Sequence, residues 1–79
     1  MKVIKSEFDF TYQRRKYHAQ VHRFTPDTIP MVRVWLLLKD QKEKVFVFYQ
    51  KKPDELFWYD LPDPWDQGMA KTIANTLLI

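Results

Sequence analysis

Residues 3 to 12 alternate in character, with Ile4, Phe8, Phe10 and Tyr12 on one side and Lys5, Glu7, Asp9 and Thr11 on the other. This is the period-2 pattern of a half-buried β-strand. Residues 16 to 24 repeat it, setting Tyr17, Ala19 and Val21 against His18, Gln20 and His22, and the QRRK stretch between the two predicts a hairpin. With neither Asn nor Gly present to supply a positive φ, the expected connection is a four-residue loop built on a type I turn. That loop pairs Tyr12 with Tyr17, Glu7 with His22 and Asp9 with Gln20. Pro26, Asp27 and Pro30 break the chain, after which MVRVWLLL and, beyond KDQKEK, VFVFY are rich in β-branched and aromatic residues and predict two more strands. Pro53 and Asp54 mark another turn, and LFWY a short fifth strand.

At residue 63 the period changes. Asp63 is a good N-cap with Pro64 in the first helical position and Asp66 in the third, and Met69, Ala70, Ile73, Ala74 and Leu77 follow at helical spacing. The spacing predicts a helix over about residues 64 to 78. The fold class is therefore α+β over residues 1 to 79, a five-stranded antiparallel meander with one C-terminal helix packed on one face. The meander gathers the 13 to 16 turn, the 39 to 44 turn and the helix start at one end. Arg14, Arg15 and Lys16 are thereby expected near Asp60, Asp63 and Asp66.

Composition narrows the function more by exclusion than by suggestion. Seventy-nine residues allow one domain, and 46% hydrophobic content is too high for a disordered chain. No apolar run approaches the ~20 residues of a membrane span, so no membrane partner is expected. Gly68 is the single glycine, which removes the Gly-rich phosphate cradles of nucleotide enzymes, and the chain has no cysteine and one serine, Ser6. No catalytic residue and no cofactor are expected, and the chain reads as non-enzymatic. The start MKVIKSEFDF lacks the apolar stretch of a secretory signal, so a cytoplasmic setting is expected.

The net charge of +3 is unevenly spread: residues 1 to 25 carry six basic and two acidic side chains, residues 26 to 52 six and three, and residues 53 to 79 one and five. Such asymmetry marks either a basic surface for a polyanion or two parts of one fold that neutralise each other. His18 and His22 form an HxxxH pair that could share a metal on a helix, but on a strand they stand ~13 Å apart, so no metal site is expected. A carboxylate beside a histidine on the outward face of strands one and two outlines a general base, yet no nucleophile or oxyanion donor completes it. Asp60, Asp63 and Asp66 are spaced three apart, which suits turns and capping rather than a calcium loop.

Three functional readings remain. VWLLL (34 to 38) and VFVFY (45 to 49) are apolar on both sides, as in strands covered on both faces, and a helix ~10 to 12 Å across cannot cover even one face of a sheet about 24 Å wide. Trp35 and Leu37, on the side opposite Val34 and Leu36, together with Phe46 and Phe48, are the expected partner-binding residues of a protein-interaction module, either a homodimer or a complex with another protein. The alternative is a small nucleic-acid-binding domain in which Arg14, Arg15, Lys16 and Arg33 neutralise phosphate while Trp35 stacks on bases. A ligand pocket between helix and sheet is a third and weaker possibility, because no convergent polar set defines one.

Overall fold

A computed structural model describes residues 2–38 and 41–78. The alternating segments form β1 (Ile4–Tyr12) and β2 (Arg15–Phe24), the doubly apolar ones β3 (Met31–Leu37) and β4 (Glu43–Lys52), and a three-residue β5 (Glu55–Phe57) precedes the helix α1 (Pro64–Leu77). The five strands lie in one curled antiparallel sheet in the order β1-β2-β3-β4-β5, which is the α+β meander with one C-terminal helix. Lys39 and Asp40, within the expected 39 to 44 turn, lie outside the described residues. Among the described residues no helix is long and apolar enough to cross a membrane.

The first hairpin corrects the expected loop. Gln13 and Arg14 both adopt positive φ, 50° and 65°, and Tyr12 pairs directly with Arg15. The connection is thus a two-residue loop of the type I′ kind, made without Asn or Gly. Placing a non-glycine residue in the left-handed region costs roughly 1–2 kcal/mol. The type I′ turn offsets this because its twist matches that of the flanking strands. The register moves by two residues, so Asp9 faces His18 and Glu7 faces Gln20. A shift by two keeps every side chain on its expected face and changes only its neighbours.

The inner face of the sheet carries the core. Phe10, Ala19, Val21, Val32, Val34, Leu36, Phe46, Phe48 and Leu56 are buried there against Met69, Ala70, Ile73 and Ala74 of α1. One helix does not span this face by itself. Phe8, Tyr12, Tyr17, Trp58, Leu61, Trp65 and Leu77 pack around the cluster and close what the helix leaves open. Aromatic side chains suit this role, since each covers about 150–250 Å².

The helix begins as its sequence dictates. Asp63 is extended and its carboxylate accepts from the Trp65 N–H at 2.9 Å, with Pro64 in the first turn. Asp66 sits in the positive end of the helix dipole and pairs with Lys44 of β4 at 2.5 Å. The acidic helix start is therefore neutralised from β4 and not by the Arg14 to Lys16 cluster. The Tyr12 hydroxyl donates to the Trp65 carbonyl at 3.2 Å, which ties the first hairpin to the same end of the helix. Gly68 lets that ring approach, because a Cβ there would overlap the Tyr12 hydroxyl. The Gln67 side-chain oxygen accepts from both the Trp58 indole and the Leu61 N–H, fastening the 58–61 segment to α1.

Candidate protein-interaction face

The outer face of the sheet has no covering element among the described residues, and strand register orders its side chains into rows. One row runs Lys5, His22, Arg33, Val47 and the next Glu7, Gln20, Trp35, Val45. Beyond that, Asp9 faces His18 and Leu37 faces Glu43. On the other side of the Arg33 row lie Phe24, Met31, Tyr49 and Phe57. The face is thus divided lengthwise. Its β1–β2 half is charged or imidazole-bearing, and its β3–β5 half is apolar and aromatic.

The apolar half is open to solvent. Leu37 is 63% exposed, Val45 49% and Phe57 38%, and Tyr59, whose ring lies 5.7 Å from that of Tyr49, is 79% exposed. Trp35 sits half-buried among them with the His22 ring edge-on at 4.4 Å between centroids. Arg33 lies between two rings, its guanidinium carbon 5.1 Å from the Phe24 centroid and 5.6 Å from that of Trp35. Lys51 lies over Phe57 in the same way, at 5.6 Å. These cation–π contacts hold long basic side chains flat on the aromatic surface, so part of their ordering entropy is spent before any partner arrives.

The structure separates the residues expected to share this surface. Trp35 and Leu37 do lie together on the outer face, opposite the buried Val34 and Leu36. Phe46 and Phe48 do not join them. They point into the core at 6% and 0% exposure, and the β4 residues beside Trp35 and Arg33 are Val45 and Val47. All four of these β4 side chains are apolar, so the strand's own pattern could not say which pair faces out. The outward parity of Glu43 and Tyr49, which frame Val45 and Val47, was the available signal, but Lys44 and Gln50 frame the inward pair in the same way.

The basic residues are also dispersed. Arg14 sits in the hairpin loop with Arg15 and Lys16 next to it, whereas Arg33 pairs with His22, six residues further along β2 and therefore ~20 Å away. No carboxylate engages Arg33 among the described residues.

On the charged half, His18 bridges two acids. Its Nδ1 lies 2.6 Å from Asp9 Oδ1 and its Nε2 3.6 Å from Glu7 Oε2. The hydrogen bond to Asp9 raises the imidazole pKa above its ordinary 6.5 against an opposing desolvation, and the charges of Asp9 and Glu7 add to the rise. Among the described residues the imidazole is held by these two carboxylates and by no hydroxyl. His18 and His22 lie on a strand, ~13 Å apart. No group of three or more potential metal ligands forms among the described residues.

A cleft of about 370 Å³ opens beside β4, lined by Phe46, Phe48, Trp58, Leu61 and Ala70 with Lys44 and Asp66 at its rim. Those two charges pair with each other, and Tyr49 and Tyr59 add two hydroxyls to an otherwise largely apolar lining. The chain matches no known family model, no curated protein by sequence and no solved structure by fold.

Proposed function

We propose that this chain is a non-enzymatic protein-interaction module that binds its partner through the outer face of β3, β4 and β5. The observation that carries the reading is the surface formed by exposed Leu37, Val45, Phe57 and Tyr59 with half-buried Trp35 and Tyr49, on a face with no covering element among the described residues. Monomeric proteins rarely leave apolar patches larger than a few hundred Å² in contact with water. Trp, Tyr and Arg are also the residues that dominate binding energy at interfaces, and here Trp35, Tyr49, Tyr59 and Arg33 stand together. The absence of cysteine suits a reducing, cytoplasmic setting.

A second reading has one observation in its favour. Arg33, braced by Phe24 and Trp35 and followed across the sheet by His22 and Lys5, offers cation and ring surface together, as single-stranded nucleic acid requires. The acids Glu7, Asp9 and Glu43 on the same face count against it, as does the distance to Arg14, Arg15 and Lys16.

Solution mass measured over a range of concentrations, with and without Trp35→Ala, separates the two. Under the interaction reading, Trp35→Ala weakens association by about 2 kcal/mol or more, on the scale of interface hot spots, while the fold is retained. Tight oligonucleotide binding with a steep salt slope, reduced by about 0.9 log units per phosphate contact when Arg33 is neutralised, would favour the second reading instead.

A further inference from the structure

We infer that β4 takes up an extended peptide segment of another protein, laid along its open edge as an added strand in the cleft beside Trp58. This rests on the β3 to β5 side being where the partner binds, and adds what kind of chain binds there and through which atoms. The unpaired backbone groups of Val45 and Val47 carry it.

Sheet register fixes where those groups point. In an antiparallel ladder successive residues turn their N–H and C=O towards opposite neighbours. The Gln50 N–H donates to the Pro30 carbonyl at 2.9 Å, so Gln50, Phe48, Phe46 and Lys44 direct their backbone groups at β3. Tyr49, Val47 and Val45 then direct theirs to the other side. There β5 meets Tyr49 through Phe57 and ends. The chain beyond it turns away to the helix, where the Trp58 indole and the Leu61 N–H both donate to the Gln67 side chain, at 3.2 and 3.1 Å. Among the described residues, no hydrogen bond reaches the backbone of Val45 or Val47 from that side.

The opening left where β5 departs is the cleft of about 370 Å³, and β4 lines it without a break from Lys44 to Tyr49, ~17 Å at ~3.4 Å per residue. A wall to which one strand contributes residues of both faces exposes that strand's edge. Donors and acceptors at strand spacing are matched by the backbone of another strand, which supplies the hydrogen bonds while alternate side chains supply selectivity. The two edges of the sheet differ in how they meet this prospect. The β1 edge carries exposed Lys5, Glu7 and Asp9, the kind of charge that keeps a strand edge from pairing. Val45 to Tyr49 carry none. A strand added there sends alternate side chains inward onto Phe46, Trp58, Leu61 and Ala70, and the others outward beside Val45 and Val47, where they extend the surface around Trp35. The bound segment is therefore apolar at alternate positions and uncharged on its inward side, where Lys44 and Asp66 already pair with each other.

Hydrogen exchange and a peptide library test this together. In the free chain the Val45 and Val47 amides should exchange about as fast as in an unfolded chain, and those of Phe46 and Phe48 far more slowly. Protection at Val45 and Val47 before any peptide is added shows the edge to be filled already and overturns the inference. Screening a displayed library of random seven-residue peptides should enrich sequences that are apolar at alternate positions, bind with a Kd of about 100 µM or tighter, and slow exchange at Val45 and Val47. N-methylation of one alternate set of peptide amides should raise that Kd about tenfold or more, and of the other set less than about threefold, because only one set faces β4. Val45→Pro removes an edge N–H and no bond to β3, and should weaken the same peptides about tenfold. If that variant fails to fold, the N-methylated peptides carry the test. A library that yields no binder tighter than about 1 mM overturns the peptide as occupant. Self-association of the chain that Val45→Pro abolishes, with no peptide bound, overturns it in favour of a second copy. Peptides indifferent to N-methylation and to Val45→Pro, but weakened by Trp35→Ala, overturn the edge and leave the outer face standing. Peptides weakened by Val45→Pro and unmoved by Trp35→Ala support the edge and take the outer face out of the contact.

Discussion

The two faces of the sheet are made by the same strands, yet they obey different rules. On the inner face, large side chains at alternate positions of β2, β3 and β4 are excluded from water, and no buried polar or charged side chain interrupts them among the described residues. On the outer face β3 and β4 also carry apolar and aromatic side chains, with Leu37 and Val45 exposed and Trp35 and Tyr49 half-buried. Within β3 and β4, apolar side chains thus stand on both faces. What distinguishes them is whether this chain supplies a cover. The helix and its flanking aromatics cover one face, and the other has its apolar residues bordered by the charged side chains of β1 and β2. A surface that is apolar over β3 to β5 and charged along β1 and β2 resembles an interface with a polar rim more than a core left unfinished.

Adjacent residues of β4 allow the sharpest comparison, because Phe48 and Val47 share a backbone and differ in the face they join. Phe48 is fully buried, with its ring 5.7 Å from that of Trp58. Phe48→Ala is expected to cost about 3–5 kcal/mol in urea denaturation, through lost burial and the cavity left behind. Val47→Ala, on the half-buried outer face, should cost less than about 1 kcal/mol in the dilute monomer. Equal losses at the two positions would erase the distinction between the faces.

The cover itself is tested next. Ile73 lies at the centre of the helix contact with no exposure, and Ile73→Ala is expected to remove about 2–5 kcal/mol. In so small a core that is a large share of the total stability. A well-folded Ile73→Asp variant would show that the helix is not what closes the inner face. Smaller again is the effect of the N-cap. Asp63→Ala loses the bond to the Trp65 N–H and should cost about 1 kcal/mol, seen as a lowered denaturation midpoint with an unchanged slope.

How far the sequence alone could lead follows from these same residues. The helix is legible because its cap, its first-turn proline and its apolar spacing agree with one another, and β1 and β2 are legible because each alternates. The loop at Gln13 and Arg14 is not, since neither residue type advertises a positive φ and the strand twist that selects the turn is a property of the paired hairpin. The outward face of β4 is not legible either. Val45, Phe46, Val47 and Phe48 present no polar residue to mark a side, so only pairing with β3 assigns them. For the candidate site, the consequence is that sequence places Trp35 and Leu37 together correctly but groups with them Phe46 and Phe48, which belong to the core.

The smallest expected effect lies on the charged half of the outer face, and it tests the register of the first hairpin. With a two-residue loop, Asp9 stands opposite His18, and the imidazole is held by Asp9 at 2.6 Å with Glu7 at 3.6 Å on its other nitrogen. With a four-residue loop, His18 would have stood opposite Thr11, out of reach of that hydrogen bond. The pKa of His18 is raised chiefly by the Asp9 hydrogen bond. Because protonation strengthens the contact, any stability it lends is fully present below the ordinary imidazole value of 6.5 and is lost as pH rises through the higher folded value. His18 is exposed and its partners are screened by water, so the effect belongs to a titration curve more than to a melting curve. Following the imidazole proton shifts of the two histidines by NMR should give His18 a midpoint above 6.5. Asp9→Asn should lower that midpoint more than Glu7→Gln does, since the hydrogen bond to Asp9 is the larger cause. The reverse order, or a midpoint indifferent to both, would return Asp9 to Gln20 and with it undo the two-residue turn.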